Sequence, residues 1–127
     1  MEKLKLAKHL IKFIDESPSN YFACINTKNI LNDKGFIELF ETEEWKLKKG
    51  GKYYVKKSNS TVVAFTLGTD INLKKGFKIF GSHTDSPGFR IKPNPEMVTE
   101  NILRLNTEVY GGPILSTWFD RPLSIAG

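Results

Sequence analysis

The hydrophobic residues of this sequence change their spacing once, near Gly35, and this change constrains the fold more than any other feature. Before Gly35, apolar side chains recur at the spacing of a helix with one buried face. After Gly35, short apolar runs alternate with glycine, proline, serine and asparagine, which predicts strands joined by turns. Two helices followed by several strands predict a layered α/β or α+β domain, and we see no repeat and no domain boundary.

The first helical segment is amphipathic, so we expect a surface helix with one buried stripe. The apolar residues of this stripe are Leu4, Ala7, Leu10, Ile11 and Ile14. The helix should end at Ser17, because the residue before Pro18 is pushed out of the helical region. Ser19 or Asn20 can cap a second helix, and Gly35 can close it.

The predicted strands are residues 53–55, 61–65, 77–81, 89–92, 103–107 and 114–119. The Ser-Asn-Ser sequence at 58–60 predicts that the first two of these form a hairpin. Residues 68–76 form a polar connection to the third strand, which is apolar enough to be buried. The prolines within 93–95 should break the fourth strand, and residues 111–113 predict a turn between the last two.

The composition is that of an ordinary globular domain. Of the 127 residues, 39% are hydrophobic and 26% are charged, which excludes disordered and fibrous classes. No apolar run is long enough to cross a bilayer, and the charged first segment is not a secretory signal. The single cysteine, Cys24, excludes an internal disulfide and favours a reducing cytoplasm. We expect Cys24 to be a small buried hydrophobe and not a reactive thiol.

The net charge of +5 raises the question of an anionic partner. The lysines, however, are scattered along the chain, and no signature of a nucleic-acid-binding module accompanies them. We therefore expect no nucleic-acid partner and no membrane contact, and we interpret the lysines as parts of solvated faces and turns.

The residues that could do chemistry follow the predicted strand at 77–81. His9 lies among lysines of the first helix, whereas His83 follows that strand, where open α/β sheets collect functional groups. In an extended His-x-Asp, His83 and Asp85 point to the same side, so the carboxylate can reach one ring nitrogen. The other nitrogen can then bind a metal, while the carboxylate fixes the tautomer of the ring.

This short pattern leaves alternatives open. His83 can also be a satisfied histidine at a strand end, with Asp85 capping the next turn. Ser82 and Ser86 flank the pair and complete the residue types of a serine-nucleophile triad. Neighbours in sequence rarely have triad geometry, however, and no glycine-flanked serine elbow occurs.

Longer motifs surround this pattern and point to one family. They are residues 81–93 (GSHTDSPGFRIKP), 105–113 (LNTEVYGGP), 116–127 (STWFDRPLSIAG), 13–18 (FIDESP) and 45–54 (WKLKKGGKYY). With these motifs in order and at natural spacing, essentially the whole chain resembles the M18 (aspartyl aminopeptidase) family of zinc aminopeptidases. The resemblance implies the amino-terminal part of a zinc-peptidase-like α/β sandwich, a mixed sheet with flanking helices.

The resemblance also implies a function. Members of the family remove Asp or Glu from the amino termini of peptides, hold a pair of metal ions, usually zinc, and form homo-oligomers in the cytosol or vacuole. By position, His83 matches the family's first metal ligand, and Asp85 matches the aspartate that orients that histidine. In such a site the metals polarise the scissile carbonyl and activate a water molecule. We expect a cytoplasmic enzyme.

The chain should hold only part of that site. The family's bridging aspartate, its glutamate base and the remaining ligands have no match here. We interpret Asp120 and Arg121 as a structural ion pair and Glu108 as structural, not as ligands. The chain ends on the apolar residues 122–127, which indicates a cut through a structural element.

We therefore expect residues 1–127 to be the amino-terminal portion of the catalytic domain, truncated before an oligomerisation insert and inactive alone. A large exposed apolar face is expected where the missing half packs. The alternative is a naturally short, non-catalytic relative that keeps the same fold as a scaffold or assembly module.

Overall fold

The change of spacing near Gly35 separates helices from strands in the structure. The computed structural model describes residues 2–70 and 76–127. Its elements are α1 (Glu2–Asp15), α2 (Asn20–Asp33), β1 (Ile37–Leu39), β2 (Lys52–Lys57), β3 (Thr61–Thr66), β4 (Gly88–Thr99), β5 (Ile102–Tyr110) and a 3-10 turn (Leu115–Thr117). Helices followed by strands in mixed sheets confirm the predicted α/β class.

Contacts within the chain define two compact units. The first, called the helical unit, comprises Met1–Thr84 with Ala126–Gly127, and the second, called the hairpin unit, comprises Asp85–Ile125. The division falls inside the predicted His-x-Asp site, between Thr84 and Asp85. Nothing in the sequence pattern indicated a division at this point.

Both helices end where local chemistry predicts. α1 ends at Asp15, just before Ser17. α2 follows Ser19, whose extended backbone makes it the N-cap residue, although its side chain forms no capping hydrogen bond. Gly35 then takes φ 75°, a left-handed conformation that favours glycine, and its N–H donates to the Asn32 carbonyl at 2.9 Å. None of the described helices is long and apolar enough to cross a membrane.

β2 is the central strand of the sheet in the helical unit. It pairs in parallel with β1 and antiparallel with β3. The predicted hairpin is confirmed, since Lys57 pairs with Thr61 and Ser58 in the turn takes φ 56°. The buried apolar residues come from β2 and α2 and are Tyr53, Tyr54, Val55, Ala23 and Cys24. The core of this unit therefore lies where α2 meets the sheet.

A polar cluster ties α2 to this sheet. The Tyr54 hydroxyl lies 2.9 Å from Asn32 Oδ1 and 3.1 Å from Glu38 Oε2, so its one proton is shared by two acceptors. Lys28 places its ammonium 2.8 Å from the same Glu38 oxygen. The hydrogen bond from Lys28 lowers the pKa of Glu38, and burial raises the pKa of the Tyr54 hydroxyl. The cluster thus joins α2, β1 and β2.

The prediction that α1 buries its apolar stripe is wrong. None of its residues is buried, and Leu10 and Ile14 are each 59% exposed. Asn26 of α2 holds the turn after α1 by donating to the Glu16 carbonyl at 2.7 Å. No described element covers the apolar face of the helix itself. The prediction failed because helical periodicity shows which face is apolar and does not show what packs against that face.

The predicted strand at 77–81 is also wrong. These residues have no regular structure, and Phe80 is 96% exposed. A strand needs a neighbour for its N–H and C=O groups, and none of the described strands pairs with this segment. Both α1 and this segment expose apolar side chains, in agreement with the exposed apolar face expected from the sequence. Of the polar connection predicted at 68–76, residues 71–75 lie outside the described residues.

The hairpin unit is built on the antiparallel pair of β4 and β5. Glu100 and Asn101 join the strands with φ 52° and 64°, as a tight primed turn requires. The prediction for 103–107 is confirmed by β5. The break predicted at 93–95 is a local irregularity, where Asn94 takes φ 51° and the register shifts while β4 continues beyond it.

The last predicted strand, 114–119, contains a 3-10 turn instead. Thr117 Oγ1 donates to the Ile114 carbonyl at 2.7 Å, a local hydrogen bond that competes with a strand ladder. Trp118 packs edge-on against Phe89 of β4, with ring centroids 5.3 Å apart. Apolar content alone predicted a strand here, whereas packing against β4 favours the turn.

Candidate metal centre

The two predicted site residues lie on either side of the division between the units. His83 is exposed and belongs to the irregular end of the helical unit. The next residue, Thr84, donates from Oγ1 to the Ser60 carbonyl at 3.0 Å, which ties this segment to the turn between β2 and β3. This hydrogen bond anchors the backbone next to His83.

Asp85 begins the hairpin unit and is half-buried. Its Oδ2 accepts a hydrogen bond of 2.5 Å from the hydroxyl of Tyr110, the last residue of β5. The hydrogen bond to this carboxylate, followed by its negative charge, raises the pKa of the Tyr110 hydroxyl. Tyr110 therefore keeps its proton at neutral pH and remains a hydrogen-bond donor.

Arg90 of β4 holds the ring of this tyrosine. Its Cζ lies 3.6 Å from the Tyr110 ring centroid, a cation–π stack. In the β4–β5 register Gly88 faces Tyr110 and Arg90 faces Glu108, so Arg90 and Tyr110 are diagonal neighbours across the pair. Strand pairing therefore brings the guanidinium onto the ring.

Close packing at two glycines supports the same region. A Cβ on Gly88 would lie 3.2 Å from the Trp118 ring, tighter than ordinary contact. Gly111, next to Tyr110, takes φ 72°, and a Cβ there would lie 3.4 Å from Pro87. Larger residues at these positions would disturb the chain beside Asp85 and Tyr110.

The other residues singled out by the motifs do not join this cluster. Glu108 is exposed. The predicted ion pair between Asp120 and Arg121 is wrong, because among the described residues Arg121 donates from Nη1 to the Thr117 carbonyl at 3.1 Å and forms no ion pair. His9 is exposed on α1, in agreement with the expected surface role.

Cys24 agrees with its predicted role as a buried hydrophobe. It is 1% exposed, and burial raises the pKa of its thiol. A thiol that stays protonated is a poor nucleophile and a poor metal ligand. The cysteine therefore belongs to the core and not to the candidate site.

The residues present fit part of a zinc site. An imidazole nitrogen, such as one of those of His83, is a preferred zinc ligand, and a carboxylate such as that of Asp85 is the usual partner of a ligating histidine. Across residues 2–70 and 76–127, however, no group of three or more His, Cys, Asp and Glu side chains could hold a metal ion. The donor set is therefore suitable but incomplete.

Sequence reasoning missed Tyr110 and Arg90. The one available signal was the position of Tyr110 directly before the Gly111-Gly112 turn, because the last residue of a hairpin strand faces the start of its partner. The irregularity in β4 hides this pairing, since it shifts the register between Ile91 and Glu96.

Comparison with known proteins identifies the family. The family described as "Aminopeptidase I zinc metalloprotease (M18)" matches residues 13–127. A probable M18 family aminopeptidase 2 from Clostridium acetobutylicum is 62% identical over 126 residues, which are 98% of this chain and 29% of that protein. The corresponding protein of Clostridium novyi is 55% identical over the same shares of both chains.

Solved structures agree with this match. A chain in the cryo-EM structure of the Ape4 and Nbr1 complex has a TM-score of 0.87 and 36% identity, covering 91% of this chain and 22% of that one. The crystal structure of yeast aminopeptidase 1 has a TM-score of 0.85 and 29% identity, covering 92% of this chain and 28% of that one. Over the part that is covered, the fold is therefore that of an aminopeptidase.

Within that class, the chain belongs to the M18 family, whose description is that of a zinc metalloprotease. This confirms the resemblance seen in the sequence motifs. The chain spans 29% of the length of the curated relatives named above.

Proposed function

We propose that this chain is part of a zinc-dependent aminopeptidase in which His83 binds a metal ion and Asp85 orients His83. Membership of the M18 family supports the class of reaction. The observation that supports the site assignment is the carboxylate of Asp85, held by Tyr110 and close in sequence to an exposed imidazole. Membership of a metalloprotease family also disfavours the alternative in which Ser82 or Ser86 is a nucleophile.

Each residue has a defined part in this proposal. His83, as a neutral imidazole, donates the lone pair of one ring nitrogen to the metal. Asp85 accepts a hydrogen bond from the other ring nitrogen, which fixes the tautomer and makes the ligating nitrogen more basic. When bound, zinc polarises the scissile carbonyl and lowers the pKa of the attacking water.

The chain supplies only part of the centre. A catalytic zinc site uses about three protein ligands and one open position. We infer that residues 1–127 are the amino-terminal portion of a catalytic domain, and that the parent protein supplies the other ligands, the general base and the second zinc position. The exposed apolar face of α1 and residues 77–80 are the surfaces on which those parts pack. Alone, the chain has no peptidase activity.

The proposal extends to substrate, assembly and location. The substrates are peptides with Asp or Glu at the amino terminus, and the parent is a cytoplasmic homo-oligomer. The mApe1 dodecamer, which is 29% identical to this chain with a TM-score of 0.86, supports assembly as a property of a related fold. The net charge of +5 carries no part of the argument for acidic substrates.

The test is a His83→Ala substitution in the full-length parent protein. We expect lost zinc and a fall in kcat/KM of more than about 100-fold, because changing a residue behind a metal ligand already costs about 10–100-fold. Zinc per chain is measured by metal analysis, and hydrolysis is compared on peptides that begin with Asp, Glu or Leu. His9→Ala is the matched control, since it removes an exposed histidine on α1.

The outcomes separate the site from the function. Zinc content and hydrolysis that survive His83→Ala would overturn the assignment of His83. If the unchanged parent binds no zinc and shows no chelator-sensitive hydrolysis, the scaffold alternative replaces the enzyme. Equal rates on Asp and Leu peptides would contradict only the substrate preference.

A further inference from the structure

The hydrogen bond between Tyr110 and Asp85 is short. The phenol oxygen lies 2.5 Å from Asp85 Oδ2, within the range of about 2.5–2.7 Å expected when a hydroxyl donates to an ionised carboxylate. Such charge-assisted bonds are roughly twice as strong as bonds between neutral groups. The contact therefore constrains the direction of the carboxylate.

Tyr110 is itself held in place from several sides. Its backbone pairs with Gly88 at the end of the β4–β5 ladder. Its ring carries the Arg90 guanidinium at 3.6 Å, and the next residue, Gly111, is packed closely enough that a Cβ would lie 3.4 Å from Pro87. The hydroxyl is thus a donor on a rigid support.

The carboxylate lacks comparable support from its own backbone. Residues 76–86 form no helix or strand, so no backbone ladder fixes the direction in which the Asp85 side chain points. A carboxylate that orients a metal ligand must present one oxygen in a defined direction. Here the side chain of Tyr110, 25 residues further along the chain, contributes that constraint.

We propose that Tyr110 is a positioning residue of the metal centre, and that its hydroxyl fixes the Asp85 carboxylate in the orientation that His83 needs. This inference rests on the proposed function, in which His83 binds zinc. Arg90 has a secondary role, because it holds the ring and not the carboxylate.

The experiment is a double-mutant cycle in the full-length parent enzyme, with Tyr110→Phe, Asp85→Asn and both together. The zinc dissociation constant is measured by competition with a chromophoric chelator, together with kcat and KM. We expect Tyr110→Phe to weaken zinc binding by about tenfold and Asp85→Asn by about 10–100-fold. The double variant should match Asp85→Asn alone, because the tyrosine acts through that carboxylate.

Two further measurements separate positioning from folding. Long-range ¹H–¹⁵N spectra of the His83 ring report its tautomer, which should become mixed in Tyr110→Phe, whereas the thermal midpoint should stay within a few degrees of the parent. Tyr21→Phe is the matched control, because it removes the hydroxyl of an exposed tyrosine on α2 and should change neither zinc affinity nor tautomer.

The results distinguish this inference from the proposed function. If Asp85→Asn weakens zinc binding and Tyr110→Phe leaves affinity and tautomer unchanged, the role of Tyr110 is overturned and the function stands. Additive effects in the double variant would also overturn it. If neither substitution affects zinc and the His83 assignment fails, both proposals fall together.

Discussion

Across residues 2–70 and 76–127, two hydrogen bonds join a tyrosine to a carboxylate, one in each unit. In the helical unit Tyr54 is 0% exposed and lies 3.1 Å from Glu38, its register partner on the neighbouring strand. In the hairpin unit Tyr110 lies 2.5 Å from Asp85, which belongs to no strand. The charged neighbours also differ, since Lys28 binds the Glu38 carboxylate whereas Arg90 binds the Tyr110 ring.

The same pair of side chains, a tyrosine and a carboxylate, has a different role in each unit. Where both partners lie on paired strands, the backbone already fixes them, so the hydrogen bond mainly stabilises the core. Where the carboxylate lies on an irregular segment, the hydrogen bond contributes to the direction in which the carboxylate points. We therefore assign the Tyr54 pair to stability and the Tyr110 pair to function.

The largest effect on stability should be the difference between removing the hydroxyl of Tyr54 and removing that of Tyr110. Tyr54→Phe should cost about 1–3 kcal/mol, because it leaves the buried acceptors Asn32 and Glu38 short of a donor. Tyr110→Phe should cost less, about 1 kcal/mol, because Asp85 is only half-buried and water can replace the lost donor. Urea unfolding followed by circular dichroism measures both. Equal losses would contradict the division between a stabilising and a positioning pair.

A somewhat smaller effect is expected at the turn beside Tyr110. Gly111→Ala should cost about 1–2 kcal/mol, because an alanine at φ 72° is strained. Gly112→Ala is the control, since no atom lies within 4 Å of a Cβ there and φ is not left-handed. Thermal unfolding compares the two variants. If both variants were equally stable, the left-handed backbone of Gly111 would not require glycine.

The smallest effect is the pH dependence of the Tyr54 cluster. The hydrogen bond from Lys28 lowers the pKa of Glu38 in the folded state, so the folded protein binds this proton more weakly than the unfolded chain. The resulting stability is present above the unfolded pKa of the glutamate and is lost as pH falls through its folded pKa. Glu38→Gln should remove this part of the pH dependence. The free energy of unfolding is measured by urea titration at pH 7 and at successively lower pH. An unchanged acid profile would contradict the role of the Lys28 ion pair.

The parts of the fold that local residues decide could be predicted from the sequence. Pro18, Gly35 and the turn at 58–60 each act on their own backbone, and the structure agrees with all of them. The stripe of α1 and the strand at 77–81 could not be predicted correctly. Their burial depends on what packs against them, and apolar spacing shows only which side chains favour burial.

The candidate site divides in the same way. His83 and Asp85 could be proposed because they lie close together in one motif. Tyr110 could not, because its contact with Asp85 spans 25 residues and depends on a β4 register that shifts between Ile91 and Glu96. The sequence motif shows His83 and Asp85, whereas the contact of Tyr110 with Asp85 depends on strand pairing.

Anomalous diffraction at the zinc absorption edge, from crystals of the full-length parent, tests directly whether His83 binds the metal. We predict a zinc peak about 2.0–2.1 Å from one ring nitrogen of His83. Asp85 should face the other ring nitrogen and still accept the hydrogen bond from Tyr110. Zinc bound with His83 outside its ligand shell would contradict the assignment of His83 as a ligand, whatever the activity of the protein.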